Sequence, residues 1–429
     1  MAGTPRPPRQ EREMGSRRTH RRLIVLAALY VAFSARGDDG LRIEEFVQTV
    51  IRAHPTTGAA QALDATAAAQ SRAARLLPDP ALELTLGRGR PSDGSGPSKT
   101  ETGLAVSQVI PWFPARSATI DAADREADVL RADATAARWA LELDARLAFY
   151  RLLQARVLLD IARTTDADAR SLLDLVTRRA SLGETREVDR IKARVEWLKQ
   201  EREMRVAERE ATAAEGALRT LAVSPLPTPL HLSGELPRPS DGASALRDAA
   251  PDRLDQSPAL LRARAEAARA SAVLASTRRS RVPDLGLSLF GQRELDREAW
   301  GASLGVILPL WNARRGDIAR ADAEARLTSA EASNARLSLL IELETRRRDV
   351  ETAASQVTTL STELLPSAAE SVRLARLLFE EGETSLLDLL DAQRTVRDAQ
   401  REETRARYEL ASALASLSRL LGPQTPSGR

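Results

Sequence analysis

Apolar positions along this chain follow two rhythms, and each rhythm occurs twice. From residue 116 to residue 181 there is neither Pro nor Gly, and small or apolar residues recur every three or four positions: Ile120, Ala123, Ala127, Leu130, Ala134, Ala137, Leu141. This spacing predicts a single helix on the order of 100 Å long, at 1.5 Å per residue. Such a helix cannot be the centre of a compact globule, so it must lie along other long helices. An Ala-rich seam with a period near 3.5 lets the helices approach closely and supercoil. Gly183 stops the run where a tight turn needs positive φ, and a second helical stretch extends from Arg186 to Leu221. From Arg314 the pattern repeats, with a turn at Gly382 and a helix from Leu386 to Leu421. Pro366 has no counterpart in the first copy and predicts a kink or break there.

Ahead of each long helix the period drops to two. Leu82, Leu84 and Leu86 alternate with Glu83 and Thr85, and Leu104 and Val106 alternate with small or polar neighbours. Later come Leu285, Leu287 and Leu289, then Trp300, Ala302, Leu304 and Val306. Strands are predicted at 81–88, 101–110, 284–291 and 299–308, each close to the ~9–11 residues of a tilted transmembrane strand. The loops between them, 88–100 and 291–298, are polar and long for a tight hairpin. Four amphipathic strands cannot close a barrel alone, and an open edge cannot sit in lipid. Several chains must contribute, and three would give twelve strands, an allowed size. The expected fold is therefore mainly α with a small β part: a trimeric, twelve-stranded transmembrane β-barrel continued by a long helical tunnel.

The doubling is a tandem duplication. Val109-Ile110-Pro111 recurs as Ile307-Leu308-Pro309 at an offset of 198, Gly183-Glu184-Thr185 as Gly382-Glu383-Thr384 at 199, and Pro78-Asp79 as Pro283-Asp284 at 205. Drift confined to loops is what duplication leaves. The chain divides into a signal peptide (1–34), a first repeat (41–221), a Pro-rich linker (222–256), a second repeat (257–421) and a short tail (422–429). The signal peptide is read from Arg17, Arg18, Arg21 and Arg22 ahead of an apolar run, Leu23 to Phe33, too short to span a bilayer as a helix. Cleavage is expected just after Ser34. No other uncharged apolar stretch approaches ~20 residues.

Composition narrows the chemistry. Sixty-three basic residues against 60 acidic ones leave a net charge of +3. No basic patch interleaved with aromatics points to nucleic acid. There is no Cys, and His20, His54 and His231 are far apart, so no metal site of recognisable spacing is expected. No Gly-rich phosphate loop or nucleophile elbow suggests catalysis, and no cofactor is called for. Trp112-Phe113 and Trp311 sit where the second strand of each copy hands over to the helix. They are expected to anchor at the membrane boundary, with plain junction packing as the alternative.

Two strand pairs, two helical hairpins and an export signal resemble the outer-membrane factor (TolC) family of tripartite efflux systems, from about Leu41 to Leu421. The resemblance is carried by Ser107-Gln-Val-Ile-Pro-Trp112 and by the turns Leu182-Gly-Glu-Thr-Arg-Glu-Val-Asp189 and Glu381-Gly-Glu-Thr-Ser-Leu-Leu-Asp-Leu-Leu-Asp-Ala-Gln393. It implies a homotrimeric exit duct in the bacterial outer membrane, in contact with outer-membrane lipid. The duct would passively conduct substrates delivered by an inner-membrane transporter and a periplasmic adaptor protein. It further implies that the adaptor meets the tips Leu182-Gly183-Glu184 and Glu381-Gly382-Glu383. Asp388 and Asp391 would ring the entrance, with Asp189 at the matching place in the first copy and Lys192 where Asp391 would be. Crowded carboxylates in such a ring should include some with raised pKa. A basic residue that holds the entrance shut in relatives is replaced here by Thr384. The stretch from Gln108 to Arg116 is similar to the heavy-metal-efflux branch, leaving cargo open between metal ions and drugs or other small molecules. A periplasmic adaptor or coiled-coil interaction protein without a channel is the alternative, and the duplicated strand pairs oppose it.

Overall fold

The computed structural model describes residues 40–90, 94, 96–294, 297–306 and 313–423. The predicted signal peptide, Trp311, the last two positions of the fourth predicted strand and the tail from residue 424 lie outside them.

The elements repeat in order. A short strand β1 (Leu41–Arg42) and helices α1 (Ile43–Ala53) and α2 (Pro55–Ala74) lead into β2 (Ala81–Gly89) and β3 (Lys99–Ile110). Helix α3 (Phe113–Ser181) then runs 69 residues without interruption, about 100 Å. Pro114 lies in its first turn, where a missing N–H costs nothing. Gly183 takes a φ of +76° at the turn, and α4 (Glu187–Ala222) returns along α3. The second copy supplies α6 (Pro258–Arg279), β5 (Leu285–Glu294), β6 (Arg297–Val306), α7 (Arg315–Thr359), α8 (Leu365–Glu381) and α9 (Leu386–Leu421).

The break expected at Pro366 is a π turn. Residues Leu360–Leu364 form one widened turn between α7 and α8, and the Leu365 amide donates to the Leu360 carbonyl. The turn also accounts for the drifting offset: Ile120 and Ile318 are 198 apart, whereas Gly183 and Gly382 are 199 apart. The additional residue of the second copy is therefore taken up inside the helix, not in a loop as the sequence suggested. A π turn adds one residue without disturbing the apolar seam on either side, and it gives the Pro366 ring room against the preceding turn.

The four long strands form one antiparallel sheet in the order β2-β3-β5-β6. Strand pairing extends past the predicted ends onto polar residues, from Gly89 opposite Lys99 and from Glu294 opposite Arg297, so the second hairpin leaves only two positions between its strands. Backbone pairing needs no apolar side chain, which is why the apolar pattern underestimates the strands.

The linker is more structured than its Pro content implied. Within it, β4 (Leu232–Ser233) pairs in parallel with β1, and α5 (Pro239–Asp248) packs on α7. One buried cluster joins linker residues Leu230 and Leu236 to Phe46, Val50, Phe149, Leu152 and Leu218, with the Phe46 and Phe149 rings 6.1 Å apart. A second joins linker residue Leu254 to Leu343, Val350, Leu410 and Leu417. The first core lies within the first copy and the second within the second, each closed by linker residues, and the copies meet where α6 and α9 both pack on α3.

Candidate functional site

The sheet sorts its side chains by face. One face carries Leu82, Leu84 and Leu86 on β2, Leu104 and Val106 on β3, Leu285, Leu287 and Leu289 on β5, and Trp300, Leu304 and Val306 on β6, all exposed. The other face carries Glu83 and Thr85, Glu101, Gly103 and Ser107, Gly286 and Ser288, and Gly301 and Ser303. An apolar face this continuous is not left to water in a stable protein. At one end of the sheet Trp112 and Phe113 are exposed at the entry to α3, and the Trp112 amide donates to Asp284 Oδ1 at 2.9 Å, tying the two copies together there. At the other end Trp300 is 90% exposed on the apolar face. Sequence reasoning counted Trp300 only as part of an alternation. Its closeness to the loop was the available signal that it lies at the far end of the sheet from Trp112.

The far ends of the hairpins carry the remaining expected site residues. Leu182, Gly183, Glu184, Glu381, Gly382 and Glu383 are all exposed. Gly382 has a φ of +79°, its amide donates to the Phe379 carbonyl, and the Glu383 amide donates to Leu378. The two tips are joined by Arg179, which the sequence gave no reason to single out in so Arg-rich a chain. Its guanidinium donates to the Phe379 carbonyl at 3.3 Å and the Glu380 carbonyl at 3.2 Å, and stands 5.4 Å from the centre of the Phe379 ring. The Glu380 carbonyl at the end of α8 thereby gains a donor, and the Phe379 carbonyl a second one beside the Gly382 amide. Beneath them Leu172, Val176, Ala193, Phe379, Leu386, Leu389 and Leu390 form a core shared by both hairpins.

The three acidic residues at this end have different surroundings. Asp189 is the third residue of α4, buried, and paired with Arg186 at 3.1 Å. Asp388 is the third residue of α9 and exposed; its carboxylate accepts from the Ser385 hydroxyl at 2.6 Å, the Thr384 hydroxyl at 2.9 Å and the Ser385 amide at 3.2 Å. The Asp388 amide donates back to the Ser385 hydroxyl, completing a capping box. Asp391 is exposed one turn further on. The structure thus brings Asp388 and Asp391 to one exposed helix end and turns Asp189 inward. Thr384 serves Asp388 as a cap donor.

These contacts hold the Asp388 carboxyl below its usual value of 3.8, chiefly through the Ser385 hydroxyl, then the Thr384 hydroxyl and the Ser385 amide. The expectation that crowding raises the pKa values here is opposed, at Asp388, by capping. Because the folded value is lowered, this cap contributes above the ordinary carboxylate range and is lost as pH falls through the lowered value. Carboxyl-carbon NMR, with Asp388 assigned from an Asp388→Asn difference spectrum, should give a midpoint below 3.8. A midpoint above it would remove the capping account.

A buried polar group crosses between the hairpins above the tips. Glu196 on α4 accepts from Gln200 Nε2 at 2.7 Å and lies 3.5 Å from Arg397 Nη1 and 3.8 Å from Arg394 Nη2, both on α9. The Glu196 and Arg397 side chains are 11% and 9% exposed. Among charge-rich helices neither residue stands out. The repeat held one signal: Arg397 occupies the place of Leu198 in the first copy.

Comparison with known proteins agrees with this geometry. Residues 48–222 and 250–423, one stretch in each copy, match the family described as outer membrane efflux protein. The chain is 28% identical over 370 residues to the cobalt-zinc-cadmium resistance protein CzcC of Cupriavidus metallidurans, covering 85% of this chain and 86% of that one. Among solved structures, the outer membrane protein VceC of Vibrio cholerae superposes with a TM-score of 0.72 at 17% identity, covering 89% of this chain and 96% of that one. The open state of the Neisseria gonorrhoeae MtrE outer membrane channel gives 0.73 at 19% identity, over 89% and 88%. The fold is that of the outer-membrane channels, and the chain belongs to the outer membrane efflux protein family.

Proposed function

We propose that three copies of this chain assemble into a passive exit duct, whose barrel crosses the outer membrane and whose helical hairpins line a tunnel through the periplasm. The observation that carries this reading is the four-stranded sheet with one apolar face and two edges, β2 and β6, that pair with no further strand among the described residues. Both edges need partners and the apolar face needs lipid, and identical neighbours satisfy the edges. The helices support the same assembly. Val188, Ile191, Val195 and Leu198 form an exposed 3-4-3 stripe on α4, and Leu337 and Ile341 are exposed on α7. Within the chain α9 packs on α3, its start near Leu172 and Val176 and its end near Trp139. The repeat relation then sets the Val188–Leu198 stripe against α8 of the next copy and the end of α4 against α7 near Leu337 and Ile341.

In this assembly Trp112, Phe113 and Trp311 anchor the periplasmic boundary of the barrel and Trp300 the outer one. The tips at Leu182-Gly183-Glu184 and Glu381-Gly382-Glu383 receive a periplasmic adaptor joined to an inner-membrane transporter. Asp388 and Asp391 from three copies place six carboxylates around the entrance, a field that attracts cations. Heavy-metal cations are the cargo we favour, supported by the likeness to a cobalt-zinc-cadmium resistance protein and by that acidic entrance.

The test is single-channel recording in planar bilayers. The protein should give ohmic steps that hexaamminecobalt(III), added on the tip side, blocks. Asp388→Asn with Asp391→Asn should weaken the block by on the order of tenfold, because the trivalent blocker loses its closest charges. Unchanged block would remove the ring assignment, and failure to conduct at all would favour a coiled-coil interaction protein without a channel.

A further inference from the structure

We infer that the barrel closes in one definite register, with Trp300 of each copy opposite Arg88 of the next, Ala302 opposite Leu86, Leu304 opposite Leu84, and Val306 opposite Leu82. The inference rests on the three-copy duct proposed above and specifies how its copies join.

The argument starts from the duplication. A shift of 205 carries β2 onto β5, so that Leu82, Leu84 and Arg88 fall on Leu287, Leu289 and Arg293. A shift of 198 carries β3 onto β6, so that Gly103 and Val106 fall on Gly301 and Leu304. Applied together, the shifts turn the first hairpin's pairs into the second's: Leu82 opposite Val106 becomes Leu287 opposite Leu304, and Thr85 opposite Gly103 becomes Phe290 opposite Gly301. The two copies therefore share one register residue by residue.

Between the copies the chain contains one joint, β3 against β5. It pairs Thr102 with Arg293, Leu104 with Gly291, Val106 with Leu289, and Gln108 with Leu287. In a closed ring the same joint recurs, with β6 in the role of β3 and the next copy's β2 in the role of β5. Carrying the observed pairs through the two shifts gives the four contacts stated.

The chemistry discriminates between registers. Every contact joins residues of the apolar face, and the two rows are among the most exposed apolar residues of the sheet: Trp300 90%, Leu82 71%, Leu86 68%, Leu304 67%, Leu84 65%. A slip by one residue would turn Leu82, Leu84 and Leu86 to the polar face. A slip by two in one direction would keep the faces but carry Arg88 down beside Ala302, into the apolar belt. In the other direction it would set Arg88 opposite Glu298, a carboxylate already paired with Arg293 within the chain. Only the inferred register sets the guanidinium beside an indole at the outer boundary, where a cation over an aromatic ring is favourable and the charge reaches water. The strand that β3 accepts as β5 has its repeat equivalent in β2, with Leu82, Leu84 and Arg88 in the places of Leu287, Leu289 and Arg293, which makes a second copy of this chain the occupant of the β6 edge.

The chain contains no Cys, so disulfide mapping has no background. Full-length protein would be expressed in the outer membrane as three double variants: Ala302→Cys with Leu86→Cys, Ala302→Cys with Leu84→Cys, and Ala302→Cys with Arg88→Cys. After mild oxidation, denaturing gels should show covalent oligomers for the first pair on the order of tenfold above the two slipped pairs, since only directly opposed positions bring Cβ atoms within disulfide reach. Preference for a slipped pair, or oligomers that persist without any cross-link, would overturn the register and leave the three-copy duct standing. Absence of both cross-links and oligomers, also in the parent protein, would overturn the duct itself.

Discussion

Replacing Leu289 by Arg should abolish the assembled barrel. Leu289 lies mid-sheet on the apolar face, between Val106 on β3 and Ala302 on β6, and is 58% exposed. Arg at the midplane of a lipid-facing strand costs about 2–4 kcal/mol, so three copies lose roughly 6–12 kcal/mol. The adjacent change Ser288→Arg falls on the other face, between Ser107 and Ser303. That variant should assemble and shift conduction toward anions, because its three added cations line the lumen. Outer-membrane fractionation followed by gel electrophoresis without boiling measures both. A trimer band from Leu289→Arg and none from Ser288→Arg would mean that the sheet faces are assigned the wrong way round.

How much of this was legible in the sequence follows from which forces leave periodic traces. A strand with lipid on one side and water on the other writes a period of two, so all four long strands and their faces could be read from Leu82, Leu104, Leu287 and Leu304 outward. Their ends could not, because the pairing of Gly89 with Lys99 and Glu294 with Arg297 is made by backbone. The long helices wrote their seam in Ala and Leu, and Gly183 and Gly382 punctuated them. The packing of the Pro-rich linker was not legible: Leu230, Leu236 and Leu254 enter the cores singly, without periodicity to betray them.

At the tips, the glycines and Asp388 were visible as a pattern, but the difference between Asp189 and Asp388 was not. Both are the third residue of a helix after a Gly-Glu-Thr turn. What separates them is packing: the first lies within the chain beside Arg186, whereas the second stays in solvent, capped by Ser385. Only tertiary structure decides which copy of a repeated motif faces outward. Arg179 was invisible for a related reason, because its partners are backbone carbonyls of the other copy.

The buried pair above the tips carries the second large effect, and the sign depends on what is removed. Arg397→Ala leaves the Glu196 carboxylate in a nearly closed space with Gln200 and the more distant Arg394 and Lys199, at 3.8 and 4.0 Å. Breaking one side of a buried ion pair typically costs about 3–5 kcal/mol. The loss would fall where α4 meets α9, so the tips should loosen while the barrel and the two upper cores persist. Replacing both partners, Glu196→Leu with Arg397→Met, removes the uncompensated charge and should restore stability to within about 1 kcal/mol of the parent, or exceed it. Hydrogen exchange read by mass spectrometry on the segments around 190–200 and 390–400 gives the local answer, and thermal melting in detergent gives the global one. If Arg397→Ala exchanged no faster than the parent, or the double variant were as loose as the single one, the pair would be contributing packing alone. The two hairpins would then be held together at that level by the apolar core of Leu172, Val176, Phe379 and Leu389.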